Sequence, residues 1–132
     1  MSGDPFSTAE RAALDAAIRS AEQLCRAEFS VFVGRAQGDP HTYATSLHNS
    51  LVAPARSILL MVDLEVRAVE VVTGAHVRRT LSDSQVELAV ATMLRSFADD
   101  ADLVGGLRRG IQLLAELARP PQTLHVDPSR KV

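Results

Sequence analysis

The sequence predicts an α/β fold of the mixed α+β kind, with a small mixed β-sheet flanked by helices on both faces, in the order α-β-α-β-β-α-α. Three observations predict it. Ile58 to Val62 is an unbroken apolar run of strand length, suited to burial on both faces. Val66 to Thr73 is a second run, rich in β-branched valines and closed by Gly74. Asp63, Leu64 and Glu65 form a polar break between them, so the two runs read as an antiparallel hairpin at the middle of the sheet. Most of the remaining chain carries apolar residues at helical spacing, which supplies the covering layers.

Each element has its own local signal. Ser7-Thr8-Ala9-Glu10 is a capping box that opens the first helix, a cap worth roughly 1 kcal/mol. Leu14, Ala17, Ile18, Ala21, Leu24 and Cys25 form that helix's apolar stripe. Phe29 to Val33 reads as the first strand. Asp39 and Pro40 suit the N-cap and first position of a second helix, which must end near Val52 because Pro54 restricts the residue before it. The run from Phe29 to Val62 therefore reads as a right-handed parallel crossover, and the hairpin makes the sheet mixed. After the bend at Gly74-Ala75-His76, Ser82 and Gln85 form a second capping box. The third helix carries Val86, Ala89, Val90, Met93, Leu94 and Phe97 and stops at Asp99-Asp100. The last runs from about Leu103 to Leu117. Gly105, Gly106 and Gly110 lie inside it, each costing roughly 1 kcal/mol against alanine. Three such residues imply close packing on a neighbour, or backbone access to something bound.

The 132 residues suffice for one domain, expected over 7–119 between a lead-in at 1–6 and a flexible tail at 120–132. With four Phe, one Tyr and no Trp, the core must be aliphatic. A formal charge of −2 gives no basic footprint for nucleic acid. Cys25 is the only cysteine, which leaves no disulfide framework and no cysteine zinc site, and its place on the stripe makes it a small core residue. No apolar run has the length to span a bilayer, and the N-terminus lacks the regions of a signal peptide, so a cytoplasmic protein is expected.

Among chemical candidates, Asp99, Asp100 and Asp102 come first. Three carboxylates on a turn suit a hard cation such as Ca²⁺ or Mg²⁺; the simpler role is capping of the last helix. Asp63 and Glu65 sit at the end of a buried strand, where they serve as turn formers or as part of a site. Glu70 interrupts a covered strand and needs a partner, for which Arg56, Arg67, Arg78 and Arg79 are available. Arg78 and Arg79, near a capped helix start, suit phosphate. His41, His48, His76 and His125 lack metal-ligand spacing. There is no nucleophile elbow, dinucleotide fingerprint or phosphate-loop lysine.

Several of these motifs together resemble one family. Phe-Ser-Thr-Ala-Glu before the first helix, Phe-Ser-Val-Phe-Val as the first strand, Tyr43-Ala44 with Leu47, and Ile-Leu-Leu-Met-Val before a turn follow its order. Arg67 before Val-Glu-Val-Val-Thr-Gly, Leu81-Ser-Asp83, and Asp-Leu-Val-Gly-Gly-Leu continue it. This pattern, from Phe6 to Leu117, resembles the TPM domain, and most of all its small cytoplasmic actinobacterial branch known only as a domain of unknown function. The resemblance implies a mixed sheet between helices, divalent-metal binding and, in some relatives, weak acid phosphatase activity. Carried over by position, it points to Asp63, Arg67, Gly74, Asp83, Asp99 to Asp102 and Gly106, the glycines giving backbone access. Ala75-His76 stands where the family commonly has a second glycine. Two functions follow. The first is an accessory or interaction module with no chemistry of its own, docking a protein partner or a second copy. The second is a metal-assisted phosphomonoesterase, with Asp63, Asp99, Asp100 and Asp102 as candidate metal ligands and Arg67, Arg78 and Arg79 for phosphate.

Overall fold

The computed structural model describes residues 5–100 and 102–121. At its centre lies β2 (Ser57–Asp63), buried at every position, as its unbroken apolar run requires. It pairs in parallel with β1 (Glu28–Val33), from Glu28 opposite Ser57 to Val33 opposite Val62. It pairs antiparallel with β3 (Ala68–Thr73), from Asp63 opposite Ala68 to Ile58 opposite Thr73. The strand order is β1-β2-β3, so the predicted mixed sheet is present and both β1 and β3 are edges.

Period-two alternation along β2 assigns its side chains to two cores. Ile58, Leu60 and Val62 face the larger one, built by α1 (Thr8–Cys25), α3 (Asp83–Asp100) and α4 (Leu103–Ala118). Leu59 and Met61 face the smaller one, where α2 (Pro40–Asn49) brings Ala44, Tyr43 and Leu47. Leu14, Leu60, Met93, Ile111 and Leu114 are almost wholly buried, each worth about 1.5–3 kcal/mol over an exposed position. The element order is the one the sequence predicts.

The capping signals are realised. Ser7 Oγ accepts from the Glu10 amide at 3.1 Å, and Glu10 Oε1 accepts from the Ser7 amide at 2.9 Å. Ser82 and Gln85 repeat the arrangement at 3.2 and 2.9 Å. Asp39 caps α2 through the Thr42 amide at 2.9 Å, with Pro40 in the first turn. The α2 helix ends at Asn49, ahead of its expected limit near Val52, and Pro54–Arg56 forms a 3₁₀ turn instead. The third strand begins at Ala68 and not at Val66, because Leu64 to Arg67 make a four-residue turn in which Arg67 takes a left-handed φ of 58°. The first four residues and most of the expected tail, beyond Pro121, lie outside the described residues.

Chain direction defines the two ends of the sheet. β1 and β2 finish, and β3 begins, at the hairpin end. α3 starts after β3 and the 3₁₀ turn Val77–Arg79, at the opposite end. There the Thr80 hydroxyl donates to the Ala118 carbonyl at 3.3 Å, which fixes the start of α3 beside the end of α4. Eighteen helical residues span about 27 Å, more than the roughly 20–23 Å of strands of six and seven residues, so the α3–α4 turn comes back to the hairpin end. Among the described residues no helix is long and apolar enough to cross a membrane.

Candidate functional site

At the hairpin end, Asp63 organises the loops. As the last residue of β2 it is only 3% exposed, and a buried carboxylate must be satisfied. Its Oδ2 accepts from the Ala36 amide at 2.9 Å. Its Oδ1 accepts from the amides of Glu65 at 3.0 Å and Val66 at 3.4 Å. One side chain thus brackets the β1–α2 loop to the hairpin turn. Donation from the Ala36 amide, followed by those of Glu65 and Val66 and the nearby Arg35 charge, holds the Asp63 carboxyl below its ordinary range and outweighs the cost of burial. A second tie runs between the same loops: the Arg35 guanidinium grips Glu65 in a two-pronged pair, Nε to Oε1 at 2.7 Å and Nη2 to Oε2 at 2.5 Å. The pair is exposed, and its value is geometric more than energetic.

The acidic turn lies at this same end. Asp102 is the N-cap of α4, its Oδ1 accepting from the Gly105 amide at 2.9 Å. Asp99 is exposed in the last turn of α3. The side chain of Asp100 and the whole of Ala101 lie outside the described residues. Among the described residues no three His, Cys, Asp or Glu side chains gather closely enough to hold a metal ion. Asp83 is far away, in the first turn of α3 at the opposite end.

The candidate phosphate residues are divided. Arg67 is exposed on the hairpin turn. Arg78 and Arg79 are at the other end of the sheet, where Arg78 donates through Nη1 to the Thr73 carbonyl. Arg79 Nη1 lies 3.4 Å from His76 Nδ1.

The two glycines face protein. A Cβ at Gly74 would run into the Pro54 carbonyl and the Ala55 backbone. A Cβ at Gly106 would meet the Phe97 ring at 2.5 Å, and one at Gly110 would meet the Met93 sulfur. The glycine-rich start of α4 therefore answers to close α3–α4 packing, the first of the two roles expected.

Glu70 has a partner other than the arginines expected. Its Oε1 lies 3.0 Å from His41 Nδ1 of α2, on the face that α2 covers. His48, seven residues on, is 5% exposed, and its Nε2 lies 3.0 Å from the Ser57 carbonyl. A carbonyl only accepts, so Nε2 carries the proton. The two histidines pin α2 to the two flanks of the smaller core, and they share no site. The Arg35–Glu65 pair and the Asp63 bracket escaped sequence reasoning, because each joins residues about thirty apart; Asp63 at a strand end was the one available signal.

The sequence pattern of the family described as domain of unknown function DUF5130 matches residues 1–115. The chain belongs to this family. Two curated relatives, the uncharacterised proteins Rv2468c and MT2543 of two Mycobacterium tuberculosis strains, are each 31% identical to it over 111 residues. That stretch is 84% of this chain, which spans about two thirds, 66%, of the relatives' length. Among solved structures, the BA42 protein of Bizionia argentinensis is similar, with a TM-score of 0.79 at 17% identity, covering 93% of this chain and 90% of that one. The N-terminal domain of a protein from P. gingivalis gives 0.71 at 18% identity, over 85% and 75%. The N-terminal domain of cg2496 from Corynebacterium glutamicum gives 0.68 at 14%, over 86% and 74%. At such identities these likenesses concern the fold. This DUF5130 domain thus shares its architecture with proteins of distant sequence.

Proposed function

We propose that this domain is an accessory or interaction module of TPM type, cytoplasmic and without chemistry of its own, which docks a protein partner. The observation that carries this reading is the commitment of the carboxylates at the hairpin end. Asp63 is taken up by three backbone amides, and Asp102 by the amide of Gly105. Carboxylates spent on backbone donors hold the fold, and a metal would have to compete with those donors. The separation of Arg78 and Arg79 from the acidic turn by the length of the sheet supports the same reading.

A second reading, a weak divalent-metal-assisted acid phosphatase, draws on one observation: the hairpin turn and the α3–α4 turn share an end of the sheet. In it Asp63, Asp99, Asp100 and Asp102 would hold Ca²⁺ or Mg²⁺, and Arg67 would steady phosphate oxygens.

One experiment separates the two. Thermal unfolding and p-nitrophenyl phosphate hydrolysis are measured with Ca²⁺, Mg²⁺, Mn²⁺ and Zn²⁺, in the native chain and in an Asp99→Asn, Asp102→Asn variant. The module reading expects no metal-dependent stabilisation and no hydrolysis that survives purification. A saturating metal would raise stability by about 2.7 kcal/mol at a hundredfold excess over its Kd. Such a rise, together with turnover lost in the variant, would overturn the module reading.

A further inference from the structure

The end of the sheet opposite the hairpin carries a groove of about 300 Å³. Its floor is apolar: Cys25, Ala27, Val77 and Ala118 are all buried. Three arginines line it, Arg26 after α1, Arg56 in the 3₁₀ turn before β2, and Arg79 in the turn after β3, together with His76. Among the described residues no carboxylate lines it. Among the described residues none of the three arginine side chains pairs with a carboxylate, and the one hydrogen-bond neighbour of any of these guanidinium groups is His76, beside Arg79.

These cations are not spent on the helix ends that meet here. The Ala118 carbonyl takes the Thr80 hydroxyl, and the Glu22 carbonyl takes the Arg26 backbone amide. The C-termini of α1 and α4 each bring about −0.5 of a charge, together about −1, and the Glu22 carboxylate, held by the Phe29 amide close behind Cys25, adds one more, against three full positive charges. The groove therefore stays positive in a chain whose net charge is −2.

We propose that this groove docks an acidic segment of a protein partner, two or more carboxylates on the arginines and an apolar side chain between them on the floor. Guanidinium forks match carboxylates in paired hydrogen bonds, and clusters of arginine are a recurrent way to read acidic motifs. The volume suits a side chain or two. The proposal rests on the module reading and names its partner's chemistry.

The test is an amide chemical-shift titration of the full chain with the peptide Asp-Glu-Leu-Asp-Glu. We expect saturable shifts at Arg26, Ala27, Arg56 and His76 to Thr80, half-complete below about 1 mM. Losing a charge-assisted hydrogen bond weakens binding about tenfold or more, so Arg56→Gln with Arg79→Gln should lose most of it, and Arg95→Gln none. Arg26 has a left-handed φ of 67°, where glycine is at ease. Arg26→Gly should thus bind more weakly while folding at least as stably, which misfolding cannot mimic. The idea is overturned by absent shifts, by shifts that persist in the double variant, or by equal binding of Lys-Lys-Leu-Lys-Lys. It is overturned too by concentration-dependent self-association that fills the groove and disappears in the Asp99→Asn, Asp102→Asn variant, since the occupant is then a second copy. Peptide binding accompanied by metal-dependent phosphatase turnover would leave the groove standing and remove the module reading.

Discussion

Asp63 is the residue on which the hairpin end depends. Replacing it with alanine strands the amides of Ala36, Glu65 and Val66, and we expect a loss of about 2–3 kcal/mol at neutral pH, read by denaturant unfolding. Its pH dependence has a definite sign. The folded carboxyl sits below its ordinary range, so the stabilisation is present above the unfolded value near pH 4. It is lost as pH falls through the lower, folded value. Asp63→Asn should therefore flatten the acid limb of the stability curve below about pH 4, while an unchanged limb would mean that other carboxylates control it. Arg26 and Arg67 share a second property of single residues. They are the non-glycine positions with positive φ among the described residues, and such a backbone costs about 1 kcal/mol or more at each. At Arg26 that cost coincides with the proposed docking groove.

At the scale of elements, α3 and α4 are joined by glycine contacts. Gly106→Ala gains about 1 kcal/mol of helix propensity. It also drives a methyl group into the Phe97 ring, and overpacking costs about 1–3 kcal/mol. We expect net destabilisation, measured as a lower midpoint in urea; a rise would show that Phe97 swings aside at little cost. The sequence signals that proved readable are of this local kind. Both capping boxes, the Asp39-Pro40 start, the apolar run of β2 and the helical stripes each lie within a few residues, and the structure realises them. What stayed hidden joins distant segments. The hairpin turn is longer than the polar break suggests, because Asp63 reaches forward to Glu65 and Val66. Glu70 meets His41 only because α2 lies across β3's face. Arg26, Arg56 and Arg79 stand on three separate segments, and nothing in their local patterns unites them.

Across the whole molecule, the near-neutral composition conceals a difference between the two ends. At the hairpin end the carboxylates of Asp63 and Asp102 are taken up by backbone amides, whereas at the far end Arg26, Arg56 and Arg79 stand, among the described residues, without a carboxylate partner. The same sheet that sets this polarity also orders assembly in time. β2 finds β3 through pairs as close as Asp63 and Ala68, but it meets β1 only by bringing Glu28 to Ser57. Closing the longer loop costs about 1.5 kcal/mol more in chain entropy. Pulse-labelled hydrogen exchange should then protect the amides of Glu70 and Val72, which face β2, before those of Ser30 and Phe32; simultaneous protection would argue for a single concerted nucleus. Until β1 arrives, the edge of β2 is open to any matching strand, including the β1 of another chain. Refolding yield should accordingly fall as protein concentration rises, through exchange of that one strand between molecules.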